Sequence, residues 1–194
     1  MVMSGGWIPA LAAPIPIRQV GQQSAWSTPA AALQRFVSTG EIKDRGLLQL
    51  IKHSGWSNDD LRVALAKLYR VDSLGLARFL ASPRGDRFLQ EQLGSYGPSN
   101  APQTALVGLR SAILSAAATG QLSSMDLLAH LPTDFDLRQQ NGRSMAAMPV
   151  CGNGSQLTAA QRSSWLSWLV FLPACLQAGS YAPTNPRPHL PQDR

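Results

Sequence analysis

Between residues 28 and 137, apolar side chains recur three and four positions apart in short bursts, and each burst is bracketed by residues that start or stop helices. Leu33, Phe36 and Val37 share one face, with Thr28 placed to cap, Pro29 at the first helical position and Gly40 after the last turn. Asp44 is positioned to cap a second helix carrying Leu47, Leu48 and Ile51. Ser57-Asn58-Asp59-Asp60 opens a third, its carboxylates in the first turn where the helix dipole favours them, with Leu61, Ala64, Leu65 and Leu68 on the apolar side. Asp72 begins a fourth with Leu76, Phe79 and Leu80; Ser82-Pro83 begins a fifth with Phe88, Leu89 and Leu93, ending at Gly94. Residues 103–119 form the longest stripe, Leu106, Leu109, Ile113 and Leu114, with Ala112, Ala116 and Ala117 permitting close helix contact before Gly120 ends it. Ser123 or Ser124 caps a last short helix through Leu128 and Leu131, stopped at Pro132. The pattern predicts an all-α domain, an orthogonal array of about seven short helices in which Leu65, Phe79, Leu109 and Ile113 are buried together.

The flanks lack this rhythm. Residues 14–20 alternate as a short extended segment, barred by proline from a central strand position. Residues 96–101 are a loop by composition, and 134–138 a brief alternating segment. From 139 to 156 the chain is polar and glycine-rich, as linkers are. Residues 165–176 are apolar apart from Ser167, yet shorter than the roughly 20 residues a membrane-spanning helix needs. Residues 183–194 are a proline-rich end. The expected organisation is a possible signal-peptide remnant at 1–13, a helical domain at 14–137, and a linker and low-order tail at 138–194. In that tail, 165–171 touches the domain weakly or not at all.

Charge bears on partners. The net charge is +6, and mostly arginine supplies the excess. Within the helices the signs are mixed: Arg62, Lys67 and Arg70 alternate with Asp59, Asp60 and Asp72, as on a solvated face. Arg18, Arg138, Arg143, Arg162, Arg187 and Arg194 lie in the flanks, and no basic stripe with interleaved aromatics argues for nucleic acid. The two cysteines, Cys151 and Cys175, form no CxxC pair, and the three histidines fit no zinc-site spacing. A disulfide between the cysteines would only staple the tail. Residues 1–13 are apolar and end in the small-x-small pattern Ala10-Leu11-Ala12 of a signal-peptidase site, although no basic residue precedes Arg18. Export to a periplasm or lumen is the expectation if this is the end of a signal peptide; otherwise the chain is cytoplasmic.

No catalytic, cofactor-binding or metal-ligating residue is assigned. Gly97-Pro98-Ser99-Asn100-Ala101 approaches the Gly-x-Ser-x-Gly elbow of α/β hydrolases, but lacks the second glycine and follows a helix rather than a strand. Cys151-Gly152-Asn153-Gly154-Ser155 lacks the lysine and the preceding strand of a phosphate cradle. His53 and His130 sit near helix C-termini, where their partial positive charge is favourable. Arg84-Gly85-Asp86 matches an adhesion tripeptide but lies at a helix start. The cluster Trp165, Trp168 and Phe171 fits a membrane surface no better than an aborted core segment, because no basic residues follow closely.

Three stretches carry more than helix grammar: 32–42 (ALQRFVSTGEI), 76–85 (LARFLASPRG) and 108–117 (GLRSAILSAA), the last followed by Gly120, Leu122 and the segment 127–132. In order and spacing they resemble the helical N-terminal region of an uncharacterised, mainly cyanobacterial family of predicted exported α/β hydrolases. The resemblance covers residues 10–137 and implies a signal peptide, a short extended segment and then this helical region. It also implies a catalytic domain after Leu137, where none is recognisable, so the chain resembles a stand-alone, truncated or frame-disrupted relative. Its expected role is a non-catalytic accessory domain that covers or positions a hydrolase domain, the partner it implies, through an exposed apolar patch. A small esterase with an unrecognised site would instead bring Ser, His and an acid into one pocket. A weak nonspecific nucleic-acid binder would lose its ligand at modest salt.

Overall fold

The computed structural model describes residues 16–20, 25–95, 102–131, 157–162 and 164–177. The leader at 1–13, the Ser99 motif, the alternating segment 134–138, the linker with the Cys151 motif and the proline-rich end lie outside these residues.

Seven helices follow one another between residues 30 and 130. They are α1 (Ala30–Thr39), α2 (Arg45–Ser54), α3 (Asn58–Ala66), α4 (Ser73–Leu80), α5 (Pro83–Ser95), α6 (Pro102–Ala116) and α7 (Ser124–His130). Side-chain caps set most of the starts. Asp44 accepts from the Leu47 N–H at 2.7 Å, Asp72 from Gly75 at 3.0 Å and Ser57 from Asp60 at 3.1 Å. Ser123 and Asp126 form a reciprocal capping box at α7. Gly40, Gly55 and Gly120 adopt positive φ where the chain leaves α1, α2 and α6, a conformation strained for any residue with a Cβ.

The cap expected at Thr28 is corrected. The extended segment is β1 (Pro16–Val20), and it pairs antiparallel with β2 (Ala25–Pro29), from Pro16 opposite Pro29 to Val20 opposite Ala25. The strand therefore runs straight into α1: Pro29 precedes the helix without a side-chain cap, and the Thr28 hydroxyl is buried without a partner among the described residues. A second short pairing ties the array across its middle. β3 (Tyr69–Arg70) pairs with β4 (Gln121–Leu122), the Val71 N–H donates to the Gly120 carbonyl at 3.0 Å, and the Ser73 hydroxyl donates to the Ala117 carbonyl at 2.7 Å.

Leu33, Phe36, Leu47, Ile51, Leu61, Leu65, Leu76, Leu80, Leu89, Leu109, Ile113 and Leu128 are buried in one core. Leu65, Leu109 and Ile113 are within it as expected, while Phe79 is half-buried at its margin, 5.7 Å from the Phe88 ring. Two assignments shift. Leu48 is half exposed because the buried face of α2 runs through Leu47, Leu50, Ile51 and Ser54. Leu68 is exposed because α3 ends at Ala66 and the chain straightens into β3. Helix α5 passes through Gly94 to Ser95, since an αR glycine only weakens a helix.

The largest correction concerns the tail. After α8 (Ala159–Arg162), helix α9 (Trp165–Cys175) packs against α7, α3 and α2, and Leu166, Trp168, Leu169, Val170, Leu172 and Leu176 belong to the same core as α1–α7. The segment expected to touch the domain weakly is central to it. Both tail helices have capped starts. Thr158 and Gln161 exchange capping bonds at 3.2 and 2.9 Å, and the Ser164 hydroxyl accepts from Leu166 at 3.3 Å. Gly55 faces the tail so closely that a Cβ there would lie 2.9 Å from the Ala160 Cβ and 3.2 Å from the Gln161 nitrogen. Contacts this specific are not explained by a frame-disrupted tail. Among the described residues no helix is long and apolar enough to cross a membrane.

Candidate functional site: a polar seam around the buried helix

Helix α9 is apolar around its whole circumference, and such a helix is stable only when protein surrounds it. Its few polar groups must then find partners inside. They do so on three successive residues, each met by a different part of the array.

Ser167 is fully buried and bridges two groups: its hydroxyl donates to the Gln161 carbonyl at 2.6 Å and accepts from the Trp56 indole N–H at 2.9 Å. Trp56 is aimed by the turn that ends α2. The buried Ser54 hydroxyl accepts from the Trp56 backbone N–H at 3.2 Å, and the Trp56 ring tilts against Phe171 with centroids 6.3 Å apart. Trp168 is the largest fully buried side chain of the molecule's described residues, and its indole N–H donates to the Gln92 carboxamide oxygen at 3.1 Å. Gln92 lies on α5, is almost wholly buried, and its amide nitrogen has no hydrogen-bond partner among the described residues.

Leu169 contributes its backbone. Pro173 stands four residues later and has no N–H to return, so the Leu169 carbonyl is left without its helical donor. The buried Ser124 hydroxyl, in the first turn of α7, donates to that carbonyl at 2.8 Å. An unpaired buried carbonyl would cost about 1–3 kcal/mol. Sequence reading found Ser124 only as a capping alternative and did not find Trp56 or Gln92. The one local signal was a proline inside an apolar run, since that arrangement requires an outside donor.

The candidate chemical groups are otherwise used structurally. Ser123, Asp126 and His130 fall on one helix, yet the Asp126 carboxylate accepts from the Ser123 hydroxyl at 2.7 Å and from its N–H at 2.9 Å. His130 Nδ1 pairs with the Asp126 backbone carbonyl at 2.8 Å, not with the carboxylate, so the three groups form a cap rather than a nucleophile relay. His53 Nδ1 pairs in the same way with the Gln49 carbonyl at 2.8 Å, at the exposed end of α2.

The tripeptide Arg84-Gly85-Asp86 is absorbed by the α4–α5 corner. The Arg84 guanidinium lies over the Phe79 ring, 5.9 Å from its centroid, and Asp86 forms an ion pair with Arg110. A Cβ on Gly85 would overlap the Phe79 carbonyl oxygen and lie 2.6 Å from the Leu80 Cα, so only glycine fits. Among the described residues no three His, Cys, Asp or Glu side chains gather where they could hold a metal ion. Lys43, hydrogen-bonded to Glu41 at 2.7 Å, holds that carboxyl below its ordinary value first through this bond and then through its charge.

Against known proteins, no curated protein and no solved structure matches the chain. A family does match, over residues 21–136. That stretch holds β2, α1–α7, Trp56, Gln92 and Ser124, and it stops short of α8 and α9. The chain belongs to the family described as alpha/beta hydrolase of unknown function (DUF1400).

Proposed function

We propose that this chain is a non-catalytic accessory domain that covers or positions the catalytic domain of an α/β hydrolase. The observation that carries this reading is where the family match falls. An α/β hydrolase places its nucleophile on a sharp turn between a strand of a parallel sheet and a helix. The matched stretch is a helical array whose described strands are short and antiparallel, and this supports reading it as a part of such a protein that lies outside the catalytic centre. Leu48, Val63, Leu68, Leu74 and Val107 are exposed and belong to different segments of the chain, and exposed apolar side chains are common on protein surfaces. They add no weight to the reading.

The test mixes the purified chain with a separately produced catalytic domain of a hydrolase of the same family, and follows the mixture by sedimentation. A one-to-one complex with altered turnover of short acyl esters is expected. A fluorophosphonate probe should label the hydrolase and leave this chain unmodified; a labelled serine on this chain would replace the accessory reading with a small esterase. Export belongs to the same proposal and is supported by Cys175, which is disulfide-bonded, because such bonds persist in oxidising compartments. Thiol labelling of the unreduced protein from its native cells should find no free cysteine, and a labelled Cys175 would remove that support.

A further inference from the structure

We infer that Cys175 is joined to Cys151 and that this bond locks the α8–α9 tail onto the array, so that closure of the core depends on oxidation. The inference does not rest on the accessory reading above.

The pairing follows by elimination. The sequence holds two cysteines, Cys175 is disulfide-bonded, and no cysteine is free among the described residues, so within one chain only Cys151 can supply the second sulfur. The bond closes residues 151–175 into a ring. Helices α8 and α9 both belong to this ring, and the array helices α1–α7 do not.

What the ring contains decides what it does. It meets the array at three places: Ala160 and Gln161 sit against the Gly55 turn, Ser167 accepts from the Trp56 indole, and the Leu169 carbonyl accepts from Ser124. An open tail must find these partners from a broad ensemble, since the stretch before it has the polar, glycine-rich composition of a linker. A closed ring has fewer conformations to lose, so docking one part of it holds the rest near its place. The bond lowers the entropy that must be given up to form contacts already present in the fold.

Its position answers a weakness of α9 itself. Pro173 removes a helical hydrogen bond from the last turn and leaves the Leu169 carbonyl to Ser124. Cys175 is the last residue of that turn, and it is buried together with its neighbours Ala174 and Leu176. The crosslink thus anchors the end of the helix that holds itself least. Opening it is a two-electron step. A dithiol reductant attacks one sulfur as a thiolate, and its second thiol then displaces the other cysteine. The reductant leaves as a disulfide, and the protein takes up two electrons and two protons as two thiols.

The experiment uses the full chain. The oxidised protein is digested without reduction, and a peptide pair joining Cys151 to Cys175 is expected from a protein that sediments as a monomer. A crosslink between two chains, or two titratable thiols, would overturn the pairing. Excess dithiol is then added until two thiols per chain are titrated. The melting temperature should fall by about 10 °C, and hydrogen exchange in α9 should quicken at least about tenfold. Unchanged melting and exchange after full reduction would overturn the lock. Cys151→Ser should melt like the reduced protein and be indifferent to dithiol. A variant as stable as the oxidised chain, or one that dithiol destabilises further, would show that the shift does not come from this bond.

Discussion

The array α1–α7 and the tail helix α9 bury their surfaces by opposite rules. In the array each helix is amphipathic: α2 buries Leu47, Leu50 and Ile51 on one side and turns Lys52 and His53 to solvent on the other. Among the described side chains of α9 none is exposed, and even its hydroxyl, Ser167, is buried. An amphipathic helix announces where the core lies relative to itself; a wholly apolar one announces only that it will be inside something. The array could be placed from its periodicity, whereas α9 required its neighbours.

The strongest way to break this comparison is to remove the tail. A chain shortened to residues 13–141 loses the helix that fills the centre of the core and exposes many apolar side chains, each worth about 1.5–3 kcal/mol of burial. Domains are stable by only about 5–15 kcal/mol in total. The shortened chain should lose its cooperative melt. A melting temperature equal to that of the full protein would show that α9 is an ornament.

Single truncations sharpen the point. Trp168→Ala, in the tail, should cost about 3–5 kcal/mol, and Leu109→Ala, in the longest array helix, about 2–5 kcal/mol, by denaturant unfolding. Costs below about 1 kcal/mol at Trp168 alone would separate the regions again. At the α4–α5 corner, Gly85→Ala forces backbone apart and should cost about 1–3 kcal/mol; a neutral result would mean that the corner is looser than its geometry.

Ser124→Ala leaves the Leu169 carbonyl unpaired and should cost about 1–3 kcal/mol. In a Pro173→Ala background the helix can supply its own donor, so most of that cost should disappear, and a double-mutant cycle measures the coupling. Equal costs in both backgrounds would refute the pairing between the proline and the serine. The smallest effect is at the surface. Lys43→Met should raise the Glu41 pKa toward its ordinary value in an NMR titration, because the hydrogen bond and charge that lower it are gone. The depressed value means that any stabilisation from the pair is present above the unfolded carboxyl pKa and lost as pH falls through the folded one. The carboxyl is exposed on the surface, so no measurable change in melting at neutral pH is expected.

Legibility followed locality. The caps at Asp44, Ser57, Asp72, Ser82 and Ser123 and the exits at Gly40 and Gly120 act within one turn of themselves, so residue type and spacing sufficed to find them. Thr158-Ala159-Ala160-Gln161 carries the same reciprocal capping signature, but it follows a polar, glycine-rich stretch whose composition is that of a linker. The Thr28 cap failed because β1 takes the strand that precedes α1 into a hairpin, a pairing set by residues a dozen positions away. Family membership was legible from three spaced segments, since the matched stretch is largely the same array.

The sequence by itself determined that this protein is helical, which stretches form its seven array helices, and which hydrolase family its core resembles. Those properties are stored in side-chain-to-backbone bonds and apolar periods a few residues long. Only the tertiary structure decided that the apolar run at 165–176 closes the core, because Trp56, Gln92 and Ser124 lie between 45 and 111 residues from the groups they bind on α9. No local pattern connects a proline at 173 to a serine at 124. Their pairing exists because folding brings a donor from one helix to a carbonyl that another helix could not satisfy within itself.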